Sequence, residues 1–347
     1  MSPPEEWEQI ERLYNDAIDL PADARKAFLD QACPAAAVRA EVESLIEADA
    51  MAGFSSAPGH LAANLLDQFP GRLSAGQRVG NYVVESLISV GGMGEVYLAR
   101  DAAASLVVLK ILRRHLIGNQ HAVDRFQTEA RAASALRHPN IVTVLESGES
   151  LAGLFIAMEW IEGRTFRNLI QDGNCGTAQA IHWVNQVAQA LKAAHHSQIL
   201  HRDIKPENII LRNDGVVKIL DFGLARIAGK LRPEPDSSGA SGTISGTLSG
   251  TLLYMSPEIL RGEVATSASD VFSLGTLLYE LVARQHPFAG ETPLDVYEAI
   301  ECRTIAAPSV RCQDMPPKID ALILRMLDRD PALRPSATEL CEVLGCA

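Results

Sequence analysis

The sequence has no closely paired cysteines, no excess of basic charge and no long apolar run. Its six cysteines (Cys33, Cys175, Cys302, Cys312, Cys341 and Cys346) are scattered, and none stands in a CxxC pair. That excludes the usual zinc spacing. Scattered thiols fit a reducing compartment better than a disulfide framework, so a cytoplasmic location is expected. Met1 to Glu11 is acidic and polar, unlike the apolar core of a secretory leader. No run reaches the roughly 18 apolar residues that a membrane helix needs, so no membrane segment is expected in this chain. The formal net charge of −12 argues against the phosphate backbone of nucleic acid as a main partner.

What is present is core-forming material. The chain has 347 residues, of which 47% are hydrophobic, enough for two or three packed units. Residues 1–50 read as a helical module. Trp7, Ile10, Leu13, Tyr14, Ala17 and Ile18 recur at helical spacing. Ala24, Ala27 and Phe28 form a second apolar face, and Val38, Val42, Leu45 and Ile46 a third. The module carries no recognisable chemistry and reads as a packing or docking appendage, with a regulatory contact to the rest of the chain as the alternative. Residues 51–77 are richer in Gly, Ser and Pro and read as a linker with one short helix at Leu61 to Leu66.

From Arg78 the period shortens to that of strands. Tyr82 to Val84 with Leu87 and Ile88, then Val96 to Ala99, then Val107 to Lys110 read as three strands. A glycine-rich turn, Val90-Gly91-Gly92-Met93-Gly94, joins the first two. Glycines there let backbone amides approach phosphate oxygens, and Lys110 supplies a point charge. An ordinary hairpin is the bland alternative for the turn by itself. A dinucleotide-binding reading fails, because no helix opens at the glycines and no parallel βαβ unit follows.

The chain is organised around Ile199-Leu200-His201-Arg202-Asp203-Ile204-Lys205-Pro206-Glu207-Asn208-Ile209-Ile210-Leu211, followed by Asp221-Phe222-Gly223. Apolar runs at Ile199–Leu200, Ile209–Leu211 and Val216–Leu220 predict short strands that bring Asp203, Asn208 and Asp221 into one small volume. Oxygen-bearing side chains of this kind suit hard divalent cations held beside phosphates. Asp203 can also take a proton from an attacking hydroxyl. A lone Asp in such a stretch is often only a turn or a cap; the ordered string as a whole is not.

That string resembles the catalytic loop and metal-binding motif of the eukaryotic-like (Hanks-type) bacterial serine/threonine protein kinase family. The resemblance extends over about residues 78–345. It implies an α+β, two-lobed protein kinase fold, with a β-rich small lobe at 78–160 and a helical large lobe at 161–345. It implies transfer of the γ-phosphoryl of ATP, with Mg2+, to serine or threonine hydroxyls of protein substrates. By the same resemblance Asp203 orients the acceptor hydroxyl, Lys205 steadies the transferring phosphate, and Asn208 and Asp221 hold the metal. Lys110 sits on the phosphates and pairs with Glu129 from the helix at Asp124 to Leu136. Met158, Glu159 and Ile161 fall at the hinge, with Ile210 beneath the nucleotide. Ser89 to Gly94, Val96 and Val108 cover it. Asp270 braces the catalytic loop, and Glu258 pairs with Arg334. His201 reads as a packed structural residue; His195 and His196 read as helix-end residues.

The activation segment, Leu224 to Leu253, holds Ser241-Gly242-Thr243, Ser245-Gly246-Thr247 and Ser249-Gly250-Thr251. A flexible linker is one reading of it. A phosphoacceptor cluster is the other, with Thr243 and Thr247 as acceptors, Arg202 as a partner for the phosphate, and self-association allowing one copy to modify another. Two positions depart from the family pattern: Ser89 replaces a glycine and Val108 an alanine. They motivate a rival reading, a catalytically silent kinase-like binding module. Lys110, Glu129, Asp203, Asn208 and Asp221 are all present and oppose it.

Overall fold

The computed structural model describes residues 72–91, 94–112, 120–173, 175–222, 252–290 and 292–346, together with Leu13, Phe28, Leu29, Ala32, Val38, Arg39 and Val42. The chain divides into two compact units, residues 1–70 with 237–250, and 71–236 with 251–347. In the first, the seven described residues are helical. Leu13, Leu29, Val38 and Val42 are buried together, with Phe28 and Ala32 packed against them. The short helix expected near Leu61 lies outside the described residues.

The second unit opens with a six-stranded antiparallel sheet. Its strands are β1 (Arg78–Val79), β2 (Tyr82–Val90), β3 (Gly94–Arg100), β4 (Leu106–Leu112), β5 (Val144–Ser150) and β6 (Gly153–Glu159), ordered β1-β2-β3-β4-β6-β5. Residues ahead of Arg78 already run along it. Gly76 N–H donates to Val84 O, Val84 N–H returns a bond to Gln77 O, and Leu73 N–H donates to the Tyr97 hydroxyl. Val84, Tyr97, Ala99, Leu109 and Phe155 form one apolar layer of the sheet. Helix α1 (Gln120–Ala135) covers the other face, where Phe126 and Ala130 meet Leu112, Ile156 and Met158. Alternation along β4, with Val107 and Leu109 on one face and Val108 and Lys110 on the other, follows the strand period.

Among the remaining described residues, helices accompany a three-stranded sheet of β7 (Gly163–Thr165), β8 (Ile209–Arg212) and β9 (Val217–Ile219). The helices are α2 (Phe166–Asp172), α3 (Thr177–His196), α4 (Pro257–Leu260), α5 (Ser267–Ala283), α6 (Pro293–Cys302), α7 (Pro317–Met326) and α8 (Ala337–Leu344). Helix α5 is buried at every residue from Ser269 to Ala283, as a helix apolar all round should be. Gly275 lets α7 come close: a Cβ there would stand 2.7 Å from that of Met326. The molecule thus has the expected α+β, two-lobed architecture.

One expected strand changes. Ile199–Leu200 belongs to no strand. Instead Gln198 takes a left-handed φ of 58° and Ile199 N–H caps Ala194 O, closing the end of α3. Ile141 forms an isolated bridge to Ile219, and β5 begins only at Val144.

Candidate active site

The segment between α3 and β8 has few regular hydrogen bonds of its own, so its shape is imposed from outside. Asp270, 1% exposed on α5, accepts from His201 N–H at 3.0 Å and Arg202 N–H at 2.7 Å. It also meets His195 Nε2 at 2.8 Å. This grip holds Arg202 at φ 66°, a left-handed conformation that costs a non-glycine residue about 1–3 kcal/mol and persists only where the surroundings enforce it. The buried His201 ring packs edge-on against Phe222 at 4.7 Å, and its Nε2 meets Leu220 O at 2.8 Å. The turn after the loop, Pro206–Asn208, then leads directly into β8.

Register does the rest. Ile209 pairs with Ile219, and Leu220 N–H donates to Asn208 O at 2.8 Å. Asn208 and Asp221 therefore stand at adjoining ends of β8 and β9. Asp221 also has a left-handed φ, 52°. Asn208 Nδ2 donates to Asp203 O and to Asp203 Oδ2, both at 2.9 Å. This leaves the amide oxygen as the donor atom for a cation. Lys205 Nζ lies 2.8 Å from the same Asp203 Oδ2. Lys110, on β4 of the other lobe and 8% exposed, reaches Asp221 Oδ1 at 3.3 Å. Lys110, Asp203, Lys205, Asn208 and Asp221 thus meet in one place, drawn from β4, the loop before β8 and the end of β9.

The set fits a phosphate-bound cation. Among the described residues, no group of three His, Cys, Asp or Glu side chains forms a metal cage. Mg2+ usually takes one or two carboxylates and completes its shell with water and substrate phosphates, and two carboxylates beside an amide offer just that. Glu129 lies within α1, but its side chain is outside the described set, as are Gly92, Met93, Gly223, Thr243, Thr247 and Thr251.

On the small-lobe side, Ser89 is exposed in β2, pairs with Val96, and keeps a negative φ. A side chain is tolerated there without strain. Val90 and Gly91 follow, and Gly91 N–H donates to Gly94 O at 2.8 Å. At Gly94 a Cβ would come within 2.7 Å of Ile111 O, so glycine is required by the neighbouring strand as well. Val108 is half-buried among Met158, Ile161, Ile210 and Leu220, which form the apolar wall between the lobes. Its extra methyls relative to alanine narrow that wall. Val108→Ala should tighten ATP binding about fivefold or more, the scale of relieved overpacking. Calorimetric titration of both proteins checks this, and an unchanged Kd refutes it.

Three features escaped the sequence reading. His195 is the third partner of Asp270, not merely a helix-end residue. Glu159 has a side-chain role: its Oε1 accepts from Thr143 N–H at 2.8 Å and from Lys218 Nζ at 2.6 Å. Burial raises the Glu159 pKa, but the Lys218 and Thr143 hydrogen bonds outweigh this and hold it below the ordinary value. A lysine within the apolar run Val217-Lys218-Ile219 was the available signal, since a buried cation needs a partner. The third is a network around Arg167, described below. Elsewhere, the buried Arg334 guanidinium grips Glu258 in two bonds of 2.7 and 2.8 Å.

The arrangement gathers what phosphoryl transfer asks for: positioned charge, oxygen atoms able to hold a cation, and a carboxylate able to accept a proton. The protein kinase domain family matches residues 82–343, and the chain belongs to that family. Serine/threonine-protein kinase pkn3 of Myxococcus xanthus is 37% identical over 267 residues, covering 74% of this chain and 48% of that protein. Serine/threonine-protein kinase PknB of Mycolicibacterium smegmatis is 37% identical over 256 residues, 72% of this chain and 40% of that protein. PknB of Mycobacterium tuberculosis is 36% identical over 260 residues, 73% and 40% of the two chains. The chain spans less than half the length of these curated relatives. Among the described residues, no helix is long and apolar enough to cross a membrane.

Proposed function

We propose that this chain transfers the γ-phosphoryl group of MgATP to serine or threonine hydroxyls of proteins, its own activation segment included. The observation that carries the reading is the double hold on Asp203 Oδ2 by Lys205 and Asn208, beside an Asp221 paired with Lys110 across the lobes. Bound MgATP supplies the phosphoryl group. Asp203 then orients the acceptor hydroxyl and takes its proton. Lys205 balances charge on the phosphoryl oxygens, and Lys110 positions the inner phosphates. Asn208 and Asp221 hold the cation through the amide oxygen and a carboxylate. Adenine lies against Val108, Met158, Ile161 and Ile210. Of the Glu159 backbone, the N–H is spent on Thr143 O, so hydrogen bonding to the base falls to its carbonyl and to Ile161.

Exposed Arg202 suits a phosphate on Thr243 or Thr247. Self-association brings one copy's segment to another's Asp203. Incubating the purified chain with MgATP, followed by mass spectrometry, tests this. Phosphate on the 237–251 peptide is the expected result. MgATP binding without any transfer would instead favour a silent binding module.

A further inference from the structure

A second charged cluster links α2 to the catalytic loop and to the segment before α4. Arg167, in the first turn of α2, sends donors to three different elements. Nε meets Glu207 Oε1 at 2.8 Å, Nη1 meets Glu280 Oε1 at 3.4 Å, and Nη2 donates to the Tyr254 hydroxyl at 3.0 Å. Tyr254 donates in turn to Glu280. Glu280 is 10% exposed, Arg167 26% and Glu207 43%. Two carboxylates therefore share one guanidinium. Burial raises the Glu280 pKa, and the bonds from Tyr254 and Arg167 oppose that rise. The His286 ring, edge-on to Tyr254 at 5.2 Å, is kept neutral by burial and then by Arg167, its pKa lowered to about 3.

The cluster lies close to Asp203, the carboxylate proposed to receive the acceptor hydroxyl. Glu207 follows Asp203 along the loop, and Tyr254 lines the same cavity as Asp203, about 30 Å³ in volume. An extended peptide advances about 3.3–3.6 Å per residue, so side chains two to four places from the acceptor lie about 7–14 Å from it. Glu207, no further along the chain from Asp203 than that, falls within the same reach.

We propose that Arg167 sets substrate specificity by occupying, from within the chain, the carboxylate pair that a basic residue flanking the acceptor would otherwise take. The proposal rests on the kinase reading above. With Arg167 in place, a substrate arginine meets satisfied carboxylates and a like charge, so it gains nothing. Without it, Glu207 and Glu280 face a gap the size of a guanidinium with negative charge uncompensated, and a forked cation is the group that fits. Arg167 acts through its partners and is a positioning residue, not a catalytic one.

The test uses the full chain and synthetic peptides with one threonine, carrying Ala or Arg at each of four positions on either side. For the wild type, the Arg/Ala ratio of kcat/KM stays at or below one at every position. In Arg167→Ala it rises about tenfold at one or two positions, and adding Glu207→Gln abolishes the rise. Methylguanidinium in solution competes the gain away in Arg167→Ala and leaves the wild type unaffected. A mere structural clamp slows all peptides alike, and ratios unmoved in an active Arg167→Ala enzyme overturn the proposal. So does a wild type that already prefers Arg. Should Arg167→Ala not fold, Arg167→Lys keeps the charge without the fork. A smaller rise at single positions supports the proposal there, and flat ratios overturn it. A wild type that phosphorylates neither peptide nor itself overturns the kinase reading underneath, an outcome distinct from an active enzyme with unmoved ratios.

Discussion

Asp221→Asn should lower phosphoryl transfer by about a thousandfold or more while leaving the protein folded. The reasoning starts at the backbone. Asp221 sits at φ 52°, and asparagine is among the few residues that enter the left-handed region readily. The side chain is nearly isosteric, so the β9 exit and the packing of Phe222 are preserved. What disappears is a full negative charge opposite Lys110, 3.3 Å away, at the proposed metal ligand. An amide there binds a hard cation weakly, and the charge of the triphosphate loses its counterweight. The thermal midpoint should move by no more than about 2–4 °C, equivalent to about 1 kcal/mol in a domain of this size. Single-turnover rates beside a melting curve read both quantities. Retained turnover would remove Asp221 from the metal site.

Arg334→Met should cost about 3–5 kcal/mol of stability, the usual penalty for stranding one member of a buried ion pair. The side chains of Arg334 and Glu258 are 0% and 2% exposed. Arg334 also donates to Ala268 O, Asp328 O and Arg329 O and lies over the Phe272 ring at 4.9 Å. Once it is gone, the Ser269 hydroxyl, at 2.7 Å, is what remains to Glu258 among the described side chains. The pair also gives a pH signature. Burial raises the Glu258 pKa, but the bonds from Arg334 and Ser269 outweigh it and bring it from 4.5 down to about 2. A folded pKa below the unfolded one stabilises the protein above pH 4.5, and the gain fades as pH falls toward 2. Urea melts of the wild type should therefore weaken from pH 6 to pH 3.5, and the part of that slope due to Glu258 should be missing in Glu258→Gln. Identical slopes would place the acid sensitivity elsewhere.

How much could be read in advance differed by kind of feature. Strands whose alternation faces a core were legible: Val107 to Lys110 marks the middle of β4, and Ile209 to Leu211 most of β8. The nearly all-apolar run from Val271 to Val282 lies inside the buried α5. Ile199–Leu200 misled because the left-handed residue that ends α3 is Gln198, not the glycine that normally announces such a cap. The side chains that meet around Asp203 were nameable because their order resembles the motifs of the kinase family. The supports were not. His195 reaches Asp270 across 75 residues, Lys218 reaches Glu159 across 59, and Arg167 reaches Glu280 across 113. No local period encodes pairs so far apart.

The hold of Asp270 on the loop has a consequence for biosynthesis. The carboxylate that bends His201 and Arg202 into shape lies 69 and 68 residues further along the chain. During translation the loop leaves the ribosome well before α5 does, and domains acquire their packing as units once enough chain has emerged. A nascent polypeptide that already displays Asp203 therefore lacks the template that shapes its surroundings. The loop takes its shape only after α5 has been made and packed against it.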